Sequence, residues 1–123
     1  MGTLEQIRNH LAHFTGTCNW YRHHLSNGVY TDGVKVLAEL TEAYWLLDAC
    51  FSYLTNPNVN REEFQTWKLE RKEGDSFTLT GDDGNGNIIA KQEFTFSDFP
   101  LEEIKLYLIN DKIRWTLLLP SEY

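Results

Sequence analysis

The sequence predicts an α+β domain, with N-terminal helices packed on one face of a C-terminal antiparallel β-meander of about five strands. Three observations carry that prediction. Apolar residues recur at helical spacing as far as Leu54, and from Phe64 the period falls to two. Asn56-Pro57-Asn58 separates the two regimes.

The first helix is expected over residues 4–13. Thr3-Leu-Glu-Gln6 has the pattern of a capping box, Leu4, Ile7, Leu11 and Phe14 recur at helical spacing, and Thr15-Gly16-Thr17 makes a turn. Residues 18–30 fit an extended segment or an irregular helix, with Asn27-Gly28 as a break. At Thr31-Asp32-Gly33 a second helix begins, Thr31 capping it and Asp32 complementing its dipole; Val34, Leu37 and Ala38 then share a face. Thr41-Glu42 restarts the pattern. The run from Ala43 to Leu54 is apolar around nearly its whole circumference, which predicts a helix buried on most sides.

Trp67 and Leu69 alternate with charged neighbours, and so do Phe77 and Leu79 after the Gly74-Asp75 turn. Asp82 to Asn87 has hairpin-turn composition. Ile88, Ala90, Gln92, Phe94 and Phe96 fall on one face of a third strand, ended at Phe99-Pro100. Ile104, Leu106 and Leu108 begin a fourth, with Tyr107 and Ile109 on its other side. After Asn110-Asp111, Ile113, Trp115, Leu117 and Leu119 face one way in a fifth. No linker, repeat or low-complexity stretch divides residues 1–123, so they read as one domain. A fourth strand apolar on both sides asks for two covers, which predicts a homodimer.

Composition narrows the function classes. Aromatic residues make up 14% of the chain, which predicts a core rich in rings. The net charge is -7, and residues 61–123 carry 8 basic against 13 acidic side chains. No cluster of Lys and Arg exists to displace counterions from a phosphate backbone, so direct nucleic-acid binding is not expected. Cys18 and Cys50 have no CxxC spacing and read as reduced thiols. The sequence shows no signal-peptide pattern, and its longest apolar stretch carries Asp48 and is too short for a bilayer. A cytoplasmic protein without a membrane partner is expected.

The candidate chemistry lies in the first half. All 4 histidines fall at or before His24. His10 and His13 share a helix face near Cys18, yet zinc needs three or four ligands, and no paired Cys/His motif is present. No metal or other cofactor is expected. Asp83, Asn85 and Asn87 imitate the start of a calcium loop, but Ile88 stands where its glycine belongs and Phe94 where its glutamate belongs. His23, His24, Asp32 and Asp48 are the group that fits acid–base catalysis. Tyr30, Asp32, Lys35, Tyr44, Asp48 and Gln92 are the candidate ligand- or partner-binding residues. Asp48, the one charge in the apolar helix, needs a cation or hydrogen-bond donors if buried; backbone amides of residues 15–32, a histidine there or Arg22 are candidates. Gln92 interrupts an apolar strand face and is expected to find backbone partners in a loop over the sheet.

Several short motifs occur in order: Tyr30-Thr-Asp-Gly-Val-Lys35, Ala43-Tyr-Trp-Leu-Leu-Asp48, Asp98-Phe-Pro-Leu101 and the terminal Leu118-Leu-Pro-Ser-Glu-Tyr123. With them the chain resembles an uncharacterised family of short bacterial proteins, notably cyanobacterial, also found on plasmids and in phages. The resemblance implies an intracellular setting and, by association, accessory roles connected with mobile elements. It implies no substrate or catalytic residue. No catalytic signature appears in the sequence, and its aromatic and acidic excess suits a protein-binding surface, so the chain reads as a non-catalytic protein-interaction module with a protein partner. The alternative is a small enzyme using His/Asp acid–base chemistry between residues 23 and 48.

Overall fold

Alternating apolar and polar residues make the C-terminal half a sheet, and the apolar members of neighbouring strands line up on one face. The computed structural model describes residues 7, 11, 19–24, 26 and 28–123. The helix expected over 4–13 and the turn at residues 15–17 lie outside these, except that Ile7 and Leu11 are helical and buried.

Strands β1 (Trp20–Arg22) and β2 (Val29–Thr31) come first. Helices α1 (Asp32–Thr41) and α2 (Tyr44–Ser52) follow, then a 3₁₀ turn (Tyr53–Thr55) and the short α3 (Pro57–Asn60). The rest is β3 (Phe64–Arg71), β4 (Phe77–Asp82), β5 (Ile88–Phe94), β6 (Glu103–Asn110), β7 (Trp115–Leu118) and a closing 3₁₀ turn (Pro120–Glu122). The sheet order is β1-β2-β7-β6-β3-β4-β5, antiparallel except between β2 and β7. The α+β class holds, while three details of the expected architecture change. Among the described residues the sheet has seven strands instead of five, because Trp20–Arg22 and Val29–Thr31 supply two. Helices α1 to α3 lie between β2 and β3, so the helices are not all N-terminal to the sheet. The C-terminal strands are not a simple meander: β6 skips β5 and β4 to pair with β3.

In β3, Gln65, Trp67 and Leu69 stand level with Leu108, Leu106 and Ile104 of β6, and Trp67 and Leu69 also with Gly81 and Leu79 of β4. Cross-strand partners share a face, so these residues form one apolar surface. Gly81 is required there: a Cβ would come within 2.7 Å of the Trp67 indole. The Trp67 indole donates to Gln65 Oε1 at 2.9 Å, and Gln65 Nε2 donates to the Val59 and Glu62 carbonyls at 2.9 and 3.0 Å. Burying this amide therefore leaves none of those groups unpaired. On the opposite face Lys68, Glu70, Glu103 and Lys105 lie among threonines, and Lys68 reaches Glu103 at 3.3 Å. Such exposed pairs contribute little stability and keep the face solvated.

That polar face corrects the premise of a sheet apolar on both sides. Tyr107 lies on the side of Lys68 and Lys105, where it packs with Phe64 and Tyr123 at ring separations of 5.0 and 5.6 Å. Three further apolar residues leave their expected faces: Ile88, Phe96 and Ile113 are 65%, 70% and 88% exposed. Phe96 lies past the end of β5, and Ile113 falls in the β6–β7 turn.

Helix α1 begins as its sequence demands. Thr31 Oγ1 accepts from the Val34 amide at 3.4 Å, and Glu42 in the left-handed region (φ 54°) ends the helix by donating its amide to the Ala38 carbonyl. Helix α2 buries Leu46, Leu47, Cys50 and Phe51, but Tyr44 and Asp48 reach solvent, so the expected burial on most sides becomes burial on one. Burial pushes the Cys50 thiol well above its ordinary range, so it behaves as a small core residue. Among the described residues no helix is long and apolar enough to cross a membrane.

Candidate functional site

The β1–β2 loop is folded against α2 by its own polar groups. The His23 amide donates to the Gly28 carbonyl at 2.9 Å, and the Gly28 amide donates to Ser26 Oγ at 3.1 Å. Gly28 permits this approach, since a Cβ would fall 2.2 Å from the Phe51 ring. The His23 imidazole then stacks on Phe51, with centroids 4.4 Å apart and planes 25° apart.

Both ring nitrogens of His23 are engaged. Nε2 lies 2.7 Å from Asp48 Oδ1, and Nδ1 lies 2.8 Å from Ser26 Oγ. His23 is 3% exposed and Asp48 38%. An ionised carboxylate only accepts, so Nε2 carries the proton in this pair; in neutral imidazole Nδ1 then accepts from the Ser26 hydroxyl. The exposed His24 ring stands 5.1 Å from His23. A cleft of about 450 Å³ opens beside the pair, with Phe51, Leu54, Thr55 and Trp115 in its walls. A polar floor under aromatic walls can orient a small polar group.

A second cluster brings together side chains of β1, β2, α1 and the start of α2. Tyr21 and Tyr30 stack at 5.8 Å, and Lys35 Nζ lies 5.3 Å from the Tyr21 centroid. Tyr21 donates its hydroxyl to Asp32 Oδ1 at 2.9 Å, and the Asn19 amide donates to Asp32 Oδ2 at 3.1 Å. The hydrogen bond to Asp32 raises the Tyr21 pKa, and burial, reinforced by the charge of Glu39, raises that of Tyr44. The bond to Glu39 raises that of Lys35. At neutral pH these are two phenols and an ammonium. Tyr44 is 42% exposed.

Of the residues singled out from sequence, Tyr30, Asp32, Lys35 and Tyr44 gather in this second cluster. Asp48, one turn beyond Tyr44 on α2, leads from it to the cleft. His23, His24 and Asp48 come together, and of the expected acid–base group Asp32 does not join them. Gln92 is elsewhere, on β5, and its expected backbone partner is corrected: Oε1 accepts from the Tyr53 hydroxyl at 3.1 Å. His10, His13 and Cys18 lie outside the described residues.

Three residues that matter were not singled out as site residues. Ser26 gave no signal beyond standing three positions after His23. Trp115 read as a core residue of the last strand. Glu122 belongs to the terminal motif, and its buried carboxylate accepts from the Thr31 hydroxyl at 2.6 Å, the Leu119 amide at 3.0 Å and the Gly33 amide at 3.1 Å.

Fold and clusters together define a class: a small α+β domain with a mixed seven-stranded sheet and polar clusters on the helical side. Within it, the chain belongs to a family of unknown function (DUF6876), whose profile matches residues 5–123. It is similar in fold to a protein of unknown function from Enterococcus faecalis known from a crystal structure. The two are 18% identical with a TM-score of 0.56, covering 76% of this chain and 87% of that one. No curated protein matches the chain.

Proposed function

We propose that the chain is a protein-interaction module whose contact surface runs from Tyr21 and Tyr30 through Lys35 and Tyr44 to Asp48. One observation carries this reading: beside Lys35 stand the stacked Tyr21 and Tyr30, the latter backed by the core, together with Tyr44, which is 42% exposed. Tyrosine offers a large, rigid contact area and a hydroxyl at low entropic cost, which suits binding hot spots. Asp32, Glu39 and Asp48 border the strip, so the partner presents a basic surface. We place the module in the cytoplasm, where a free Cys50 is ordinary.

Cross-linked co-purification from the native host tests the proposal. The wild-type chain is expected to retain a stoichiometric protein partner that the Lys35→Ala, Tyr44→Ala variant loses without a change in melting midpoint. Equal recovery by both, or none by the wild type, overturns it. Light scattering on the purified chain shows whether that partner is a second copy.

The Ser26–His23–Asp48 hydrogen-bond chain favours a second reading, acid–base chemistry on a small molecule in the cleft. A small molecule released on denaturing the native protein, and missing from a Trp115→Ala variant, supports this reading over the first.

A further inference from the structure

We propose that His23, His24 and Asp48 form a binding site for a divalent transition-metal ion of the zinc class, with Ser26 as its positioning residue. One nitrogen from each histidine and one Asp48 oxygen all lie within 4.8 Å of one another. The closest pair is the informative one. His23 Nε2 and Asp48 Oδ1 lie 2.7 Å apart across a hydrogen bond, and a metal ion that displaces the Nε2 proton meets a lone pair from each of them.

Ser26 lets His23 accommodate either. With a proton on Nε2, the Ser26 hydroxyl donates to Nδ1. With metal on Nε2, the ring proton moves to Nδ1 and is donated to Ser26 Oγ, whose remaining lone pair still accepts from the Gly28 amide. A metal-bound histidine characteristically donates its other N–H in this way, which fixes the tautomer and the ring. The Phe51 stack holds the same ring flat and 3% exposed, so one ligand is already oriented. The other two are free to adjust, because His24 is exposed and Asp48 is 38% exposed.

Metal geometry requires only a small rearrangement. Ligands held by one zinc at about 2.0–2.2 Å stand roughly 3.4 Å apart in a tetrahedron, so His23 and Asp48 separate by about 0.7 Å while the His24 ring swings in by up to about 1.4 Å. Two imidazoles and a carboxylate suit zinc, cobalt, nickel or copper and discriminate against magnesium and calcium, which prefer oxygen throughout. Three protein ligands leave a fourth position for water or an outside ligand. The ion would tie the β1–β2 loop to α2, which the His23–Asp48 hydrogen bond does in its absence.

Untagged protein, stripped with a chelator, is titrated with zinc chloride and with cobalt(II) chloride. The expected result is one equivalent bound, with the visible absorption bands of four-coordinate cobalt. His24→Ala, a change at an exposed residue, weakens binding by about tenfold or more, and Ser26→Ala weakens it about tenfold while keeping the bands. A His10→Ala, His13→Ala variant binds like wild type. Failure to bind one equivalent overturns the proposal. So does binding lost in the His10, His13 variant and kept in His24→Ala.

Discussion

Asp48 stands one helical turn after Tyr44 and gives Oδ1 to His23 at 2.7 Å, while 38% of its side chain remains in solvent. Water can therefore replace part of what a mutation removes. Asp48→Ala is expected to cost about 1–2 kcal/mol, below the full penalty of an orphaned buried charge. Asp48→Asn keeps a carbonyl that accepts from Nε2–H and should cost clearly less. Urea melts of both variants check the order, and two midpoints equal to wild type would show that the pair does not fasten the loop. This residue was legible: a lone carboxylate in an apolar helix needs a partner, and a loop histidine was among the few available. Ser26 was not legible, because its role rests on Gly28 meeting Phe51, a contact that sequence spacing does not encode.

At the scale of elements, legibility follows length. Strands β3 to β6 run 6 to 8 residues, long enough to display a period of two. β1 and β2 have 3 residues each, too few for any period to show in the sequence. The return of β6 to β3 depends on the segment after Phe94, where Phe99 and Leu101 are buried and the Phe99 carbonyl accepts from Arg71 Nη2 at 2.9 Å. Turns are the opposite case, since their chemistry is local. Asp83 accepts from the Asn87 side chain and from the Asn85 and Asn87 amides, and Asp111 accepts from the Arg114 and Ile113 amides. These bonds, the Asn87 side chain foremost for Asp83 and the Arg114 amide for Asp111, hold both carboxyls below their ordinary 3.8. A depressed folded-state pKa means that the stabilisation is complete above pH 3.8 and fades as pH falls through the lower folded value. Amide chemical shifts of Asn85, Asn87, Ile113 and Arg114 should therefore titrate with midpoints below 3.8; midpoints at or above it would mean that these bonds do not form in solution.

Across the whole molecule, the two halves of the sequence are joined at the parallel β2–β7 pairing and at Glu122. The pairing is short, Val29 and Tyr30 against Thr116 and Leu117. Glu122 adds bonds to Thr31 and Gly33, residues 91 and 89 positions away, and places a carboxylate at the N-terminus of α1, where the helix dipole favours it. Removing that carboxylate strands the Thr31 hydroxyl and the Gly33 and Leu119 amides in a buried place. Glu122→Ala is expected to cost about 2–3 kcal/mol, and Glu122→Gln, which keeps one acceptor oxygen, about 1 kcal/mol. The location of the loss is more diagnostic than its size. Amide hydrogen exchange in Glu122→Ala should speed up in β2 and the first turn of α1, while β3, β4 and β6, paired along their whole length, keep their protection. If protection falls evenly over all strands, the sheet opens as one unit and Glu122 is not the joint between its halves. If no amide changes, the carboxylate is not buried against α1 in solution.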